Sequence, residues 1–188
     1  MMACMSRDTY HHGDLKAVIL AKAATLVAER GADGISLREL AREAGVSHAA
    51  PAHHFTDRRG LFTALAAQGW RMLADELDSA RPDFIAAALA YVRFALAHPG
   101  HYAVMFDRSV VNPGDPELKA AQDAAGAELA DGVGTLKDQR AKADPQNAAL
   151  AAWSLVHGFV MLRLNEAIDT GDDPMAAVEK IALMLFDG

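Results

Sequence analysis

An all-α fold of about nine helices is what this sequence predicts, and three observations predict it. Apolar residues recur at three- and four-residue spacing through most of the 188 positions. Alanine is abundant while aromatic strand formers are scarce, at 6% of the chain. Glycine and proline stand mostly as punctuation between the apolar stretches. The length suits one well-filled core or two small ones.

The first helix is expected from Asp14, placed to cap it, to Arg30, with Leu15, Val18, Ile19, Leu26 and Val27 as its apolar stripe and Gly31 as its stop. In GADGISLREL, Ser36 and Glu39 form a capping-box pair ahead of Leu37, Leu40 and Ala41, which predicts a short second helix ending at Gly45. Ser47 then caps a third helix after the brief break Ala44 to Val46. So short a break makes the two helices cross steeply, which is helix-turn-helix spacing. The stretch VSHAAPAHHF puts Pro51 fourth in that helix, where its missing N–H forfeits only the first intrahelical bond. His48, Ala49 and Ala50 ahead of it are small or polar, which suits an N-terminal helix end that enters the major groove of DNA.

A long amphipathic helix is expected from about Leu61 to Ser79, with Phe62, Leu65, Trp70, Leu73 and Leu77 inward. Pro82 opens the next, which stops at Pro99-Gly100, and HYAVMFD supplies a short one. Glu117 to about Arg140 is alanine-rich, with Gly126, Gly132 and Gly134 weakening it as a continuous helix. Asp144-Pro145 and Asp173-Pro174 open the last two helices. In the first of these Leu150, Trp153, His157, Val160, Met161 and Leu164 form one stripe, and Leu155, Phe159 and Leu162 a second. The last helix repeats Met175, Val178, Ile181, Ala182 and Leu185, widened by Leu183 and Phe186. Excess apolar surface on two adjacent helices predicts a homodimer through them.

The formal charge of -7 argues at first against nucleic acid, but the charge is uneven. Residues 1–60 hold 8 Lys and Arg against 7 Asp and Glu, and the rest hold 10 against 18. His11, His12, His48, His53 and His54 also lie in the first part. The division expected is 1–60 and 61–188, two parts of different electrostatic character. Cys4 is the single cysteine, so no disulfide framework or thiolate zinc site can form, which suits a reducing, cytoplasmic setting. The first residues lack an apolar run of signal-peptide length, and no later stretch is expected to reach the ~18 uncharged apolar residues of a membrane span. No nucleophile with a paired base, phosphate loop or carboxylate pair is evident, so neither an enzyme nor a cofactor is expected.

TYHHGDLKAVILAKAATLVAERGADGISLRELAREAGVSHAAPAHHFTDRRGLFTAL resembles the N-terminal DNA-binding region of the TetR family of transcriptional regulators. Trp153 and His157-Gly158 resemble the family branch whose C-terminal domain carries a Trp and a His-Gly pair. The resemblance implies three small helices for DNA, a linking helix, and a helical ligand-binding body that dimerises through its last two helices. Carried over by position, Ser36 and Arg38 contact phosphates; Ser47, His48 and Ala49 face the groove; and His53, His54 and Arg58 lie along the DNA backbone. Ala52 stands where the family usually has a Tyr that reaches a phosphate. The function implied is a repressor, released from a palindromic double-stranded operator by a small, partly apolar effector.

In the second part His98, His101, Tyr102, Met105 and Phe106 crowd near a helix break, and Trp153 and His157 share one helix face. These seven are expected to line an effector cavity, although each also suits a core position. Gly158 is expected to serve a tight helix crossing. Tyr10, His11 and His12 form either a loose start or an arm on DNA. His53 and His54 do not make a metal pair, because adjacent helical residues point about 100° apart and no further ligand completes a set. Two alternatives stand beside the regulator: a helical metal- or small-molecule-binding protein or enzyme centred on His101 and His157, and an interaction protein of the same fold that has lost DNA affinity.

Overall fold

The computed structural model describes residues 8–171 and 173–185, with side chains from residue 15 onward. Cys4, Phe186 and the side chains of Tyr10, His11, His12 and Asp14 lie outside what is described. Among the described residues there are ten α-helices and no strand: α1 (Asp8–Arg30), α2 (Leu37–Glu43), α3 (Ala50–Phe55), α4 (Arg58–Ser79), α5 (Phe84–Ala97), α6 (Pro99–Met105), α7 (Pro116–Gly134), α8 (Gln139–Ala143), α9 (Pro145–Leu164) and α10 (Pro174–Leu185). The chain forms two compact units, one built from residues up to Ala67 together with Pro99–Leu118, the other from Gln68–His98 and Lys119 onward. That partition differs from a single cut at residue 60.

Local chemistry explains most boundaries. Ser36 caps α2, its Oγ accepting the Glu39 N–H at 3.1 Å. The other half of the expected capping box is missing, because the Glu39 carboxylate takes the Arg30 guanidinium at 2.9 Å instead. Helix α2 ends in a Schellman motif: Val46 N–H donates to the Ala41 carbonyl and Gly45 N–H to that of Arg42, with Gly45 at φ 67°, where a Cβ is costly. Asp57 Oδ1 accepts the Gly60 N–H at 2.7 Å and opens α4 three residues earlier than expected. Just before it, Thr56 at φ 66°, ψ −58° forms a γ-turn in which Asp57 N–H donates to the Phe55 carbonyl at 2.7 Å. Asp83, not Pro82, caps α5, accepting the N–H groups of Ile85 and Ala86. Asp144 and Asp173 cap α9 and α10, accepting from Asn147 and Ala176.

Several expectations change. Helix α1 starts at Asp8, ahead of Asp14, since an internal Gly13 costs only about 1 kcal/mol, and Val18 is exposed rather than part of the buried stripe. Helix α7 runs unbroken to Gly134 because Leu118, Ala121, Ala125 and Val133 keep one buried stripe past Gly126 and Gly132; α8 then separates behind its own cap, Asp138. On α9 the buried face is Ala148, Ala152, Val156, Phe159 and Val160, whereas Leu150, Met161, Leu162 and Leu164 are exposed. Its alanines pack inward with Val156, Phe159 and Val160, while several of its leucines point out. Among the described residues α9 is also long and apolar enough, by length and composition alone, to cross a membrane, which corrects the expectation that no stretch is; its alanines raise the count, and 28% of that window is buried. Around Gly158 a Cβ would meet nothing within 4 Å, so no tight crossing occurs there within the chain.

Helix α6 belongs to the first unit, where it packs on α1. The contact is backbone to backbone: a Cβ on Gly100 would lie 1.9 Å from the Ala24 carbonyl oxygen. The second unit is built around α5, which packs on both α9 and α10.

Candidate functional site

In the first unit α2 and α3 pack against each other, with Leu40, Ala41, Pro51 and Phe55 on the buried side. Pro51 is the second residue of α3, not the fourth. The reason is steric: Pro51 has no N–H to offer the Ser47 carbonyl, which the Ala50 N–H takes at 3.0 Å in a tighter turn. Ser47 is therefore not the cap; Ala49 is, without a side-chain bond. The consequence favours recognition. Ser47, His48 and Ala49 form an exposed turn just ahead of the helix, and Ala52 and His53 continue that exposed side, with His54 half-buried.

Ser36 and Arg38 are exposed at the start of α2, and no ion pair or hydrogen bond engages Arg38 among the described residues. Ser36 Oγ accepts at the cap, which leaves its O–H able to donate. His53 and His54 sit with ring centroids 5.6 Å apart. Arg58 behaves differently from the expectation that it lies along DNA. Its Nε donates to the Ile35 carbonyl at 3.0 Å, its Nη2 to that of Ala32 at 2.7 Å, and its guanidinium lies 4.9 Å from the Phe62 ring centroid. It ties the start of α4 to the α1–α2 loop and so holds the helix-turn-helix in place.

In the second unit, Trp70 from α4, Gln122, Gly126 and Leu129 from α7, and Leu150 and Trp153 from α9 line a cavity of about 320 Å³ that opens to the surface past Leu150. Trp153 Nε1 donates to the Tyr91 hydroxyl at 3.2 Å, and that hydroxyl lies 3.2 Å from His157 Nδ1. An indole N–H can only donate, so the Tyr91 oxygen accepts from Trp153, while the direction of its bond with His157 Nδ1 follows the imidazole tautomer. Burial lowers the His157 pKa from its ordinary 6.5, which favours the neutral imidazole.

Of the seven residues expected around an effector, only Trp153 lines this cavity, and His157 reaches it through Tyr91. His101, Tyr102 and Met105 are buried on α6 in the first unit, with the tilted ring of Phe106 4.9 Å from that of Tyr102, while His98 leans on Phe94 at 5.2 Å. The helix break that crowds them in sequence is where the chain passes from one unit to the other. Sequence reasoning missed Tyr91, Gln122 and Gly126, although 122, 126 and 129 show the spacing of one helix face. Among the described residues no group of three or more His, Cys, Asp or Glu converges to hold a metal.

The outer sides of α9 and α10 leave an open apolar trough of about 470 Å³ along Leu155, Gly158, Phe159, Leu162, Ala177 and Ile181. Met184 is 83% exposed at its end.

Comparison with known proteins covers most of the chain. Residues 19–65 match the model for bacterial regulatory proteins of the tetR family, and residues 84–185 match that for the tetracyclin repressor-like C-terminal domain. The HTH-type transcriptional regulator Rv1816 of Mycobacterium tuberculosis is 31% identical over 113 residues, which are 55% of this chain and 47% of that protein. The chain thus spans about half the length of the curated relatives it matches. A solved protein of unknown function from Rhodococcus sp. RHA1 is 34% identical over 94% of this chain and 95% of its own, at a TM-score of 0.76. The fold also matches AibR, solved in complex with isovaleryl coenzyme A and operator DNA, at 16% identity over 92% of this chain and 98% of that one, with a TM-score of 0.67. With a family model covering more than half of its residues, this chain belongs to the TetR family of bacterial regulatory proteins.

Proposed function

We propose that the chain is a ligand-responsive repressor in the cytoplasm that binds a palindromic operator as a homodimer. The observation that carries this reading is the exposed turn Ser47–Ala49 between α2 and α3, with Arg38 exposed at the start of α2 and Arg58 tying α4 to the loop ahead of α2. Ser47, His48 and Ala49 meet base edges; Ser36, Arg38, His53 and His54 meet the phosphates; Arg58 positions them. The fold shared with AibR, which was solved with a small molecule and operator DNA together, supports a response to an effector.

Pairing through α9 and α10 is supported by the exposed Leu162, Leu183 and Met184 and by the open space over Gly158, which a second copy can enter. Arg163 Nε and Thr170 Oγ1, buried without a hydrogen-bond partner among the described residues, lie along the same helix end and trough. The Tyr91–Trp153–His157 cluster supports the branch marked by Trp and His-Gly. The effector site is the cavity beside Trp153, and an effector need favour the DNA-incompetent state by only ~1 to 3 kcal/mol.

A salt-dependent gel shift tests the reading. Arg38→Ala weakens binding to all sequences alike and lowers the salt slope by about 1 per half-site. An Arg38→Ala protein that binds like the parent removes the phosphate role on which the interface depends.

A further inference from the structure

We propose that the ligand of the second-unit cavity is a flat, uncharged bicyclic aromatic molecule with one hydrogen-bonding group; this rests on the effector reading above. The chain has two tryptophans, and both line this one cavity, Trp70 from α4 and Trp153 from α9. Trp70 is 5% exposed and forms a fixed wall. The Trp153 ring is pinned from behind by its bond to Tyr91, so its orientation is set before any ligand arrives. Two held indoles prefer a planar aromatic guest, in stacked or edge-to-face contact, over an aliphatic one of equal area.

The remaining lining fixes charge and size. Among the described residues no Lys, Arg, His, Asp or Glu lines the space. A carboxylate or phosphate seated inside would lose its hydration without a counter-charge, which disfavours fatty acids and coenzyme A thioesters relative to a neutral ligand. The amide of Gln122 is the polar side chain of the lining, and it can give one hydrogen bond and take another. At about 320 Å³ the cavity is at the small end of ligand pockets. With ~30 Å³ for each water-sized group, it holds on the order of ten non-hydrogen atoms, the size of a substituted naphthalene. Gly126 makes the room: a Cβ there would meet nothing within 4 Å.

The test uses the full chain labelled with ¹⁵N, in which the two indole N–H signals report the two walls separately. Titration with 2-naphthol moves both signals saturably at sub-millimolar concentration. Cyclohexanol binds about tenfold more weakly, and decanoate leaves both signals in place. Gly126→Leu fills the space, abolishes the response to 2-naphthol, and melts at or above the parent temperature because leucine is the better helix former. The proposal is overturned if 2-naphthol moves neither signal or only one, if cyclohexanol or decanoate binds as well, or if Gly126→Leu responds like the parent. A gel shift on the same protein separates this from the regulator reading. A chain that binds no DNA but whose indoles respond keeps the ligand assignment, while a DNA-binding chain whose indoles stay still loses it.

Discussion

Arg58 Nη2 donates to the Ala32 carbonyl at 2.7 Å, joining the first turn of α4 to the loop ahead of α2. With its second bond to Ile35 and its stacking on Phe62, this guanidinium satisfies loop carbonyls that would otherwise face the side of the helix-turn-helix. Hydrogen bonds from a charged group are each worth about 1.5–3 kcal/mol. Arg58→Ala is therefore expected to destabilise the protein by roughly 2 kcal/mol, read as a lower midpoint in urea. Arg38→Ala, at an exposed position, shifts that midpoint little. The two variants thus separate a change in stability from the change in DNA binding proposed for Arg38.

Gly100→Ala sets a methyl group against the Ala24 carbonyl with no flexible side chain to move aside. The expected cost is about 3 kcal/mol or more, with loss of the α6–α1 docking. Gly126→Ala, where a Cβ meets open space in the same kind of secondary structure, is expected to stabilise by up to about 1 kcal/mol. Thermal unfolding of the pair checks both signs.

His157 gives a pH dependence of known sign. Its folded pKa lies below the unfolded value of 6.5 because of burial, so on acidification through 6.5 the unfolded chain takes up a proton that the folded chain does not. This contribution to stability is present above 6.5 and is lost as the pH falls towards the folded pKa. Melting temperatures between about pH 7 and 5.5 should fall more steeply for the parent than for His157→Asn. Parallel curves would contradict the burial effect.

Leu183 and Met184 stand out from α10 at 54% and 83% exposure. The double change Leu183→Glu, Met184→Glu is expected to turn a dimer into a monomer in sedimentation velocity while leaving the circular dichroism unchanged. A variant that still sediments as a dimer rejects this face as the interface.

Ala52 lies on the exposed side of α3, where the family usually carries a phosphate-contacting Tyr. Ala52→Tyr is expected to strengthen DNA binding by about 1 kcal/mol per half-site, measured as roughly fivefold per site in a gel shift.

What the sequence determined by itself is what one helical turn can decide. The caps at Ser36, Asp144 and Asp173, the stop at Gly45 and the all-α class follow from hydrogen bonds and apolar spacings that close within about five residues, so they are legible without a structure. The short break between α2 and α3 was legible too, although the start of α3 depended on where Pro51 could sit. Tertiary structure alone decided the rest. Nothing near Arg58 marks it as a loop tie rather than a DNA contact, because its acceptors are the carbonyls of Ala32 and Ile35. Nothing near Gly100 assigns α6 to α1, and no spacing shows that the alanines of α9 face inward while several of its leucines face out. Trp70 and Trp153 share a cavity because α4, α7 and α9 converge there, and such convergence is set by long-range packing, which a local pattern does not encode.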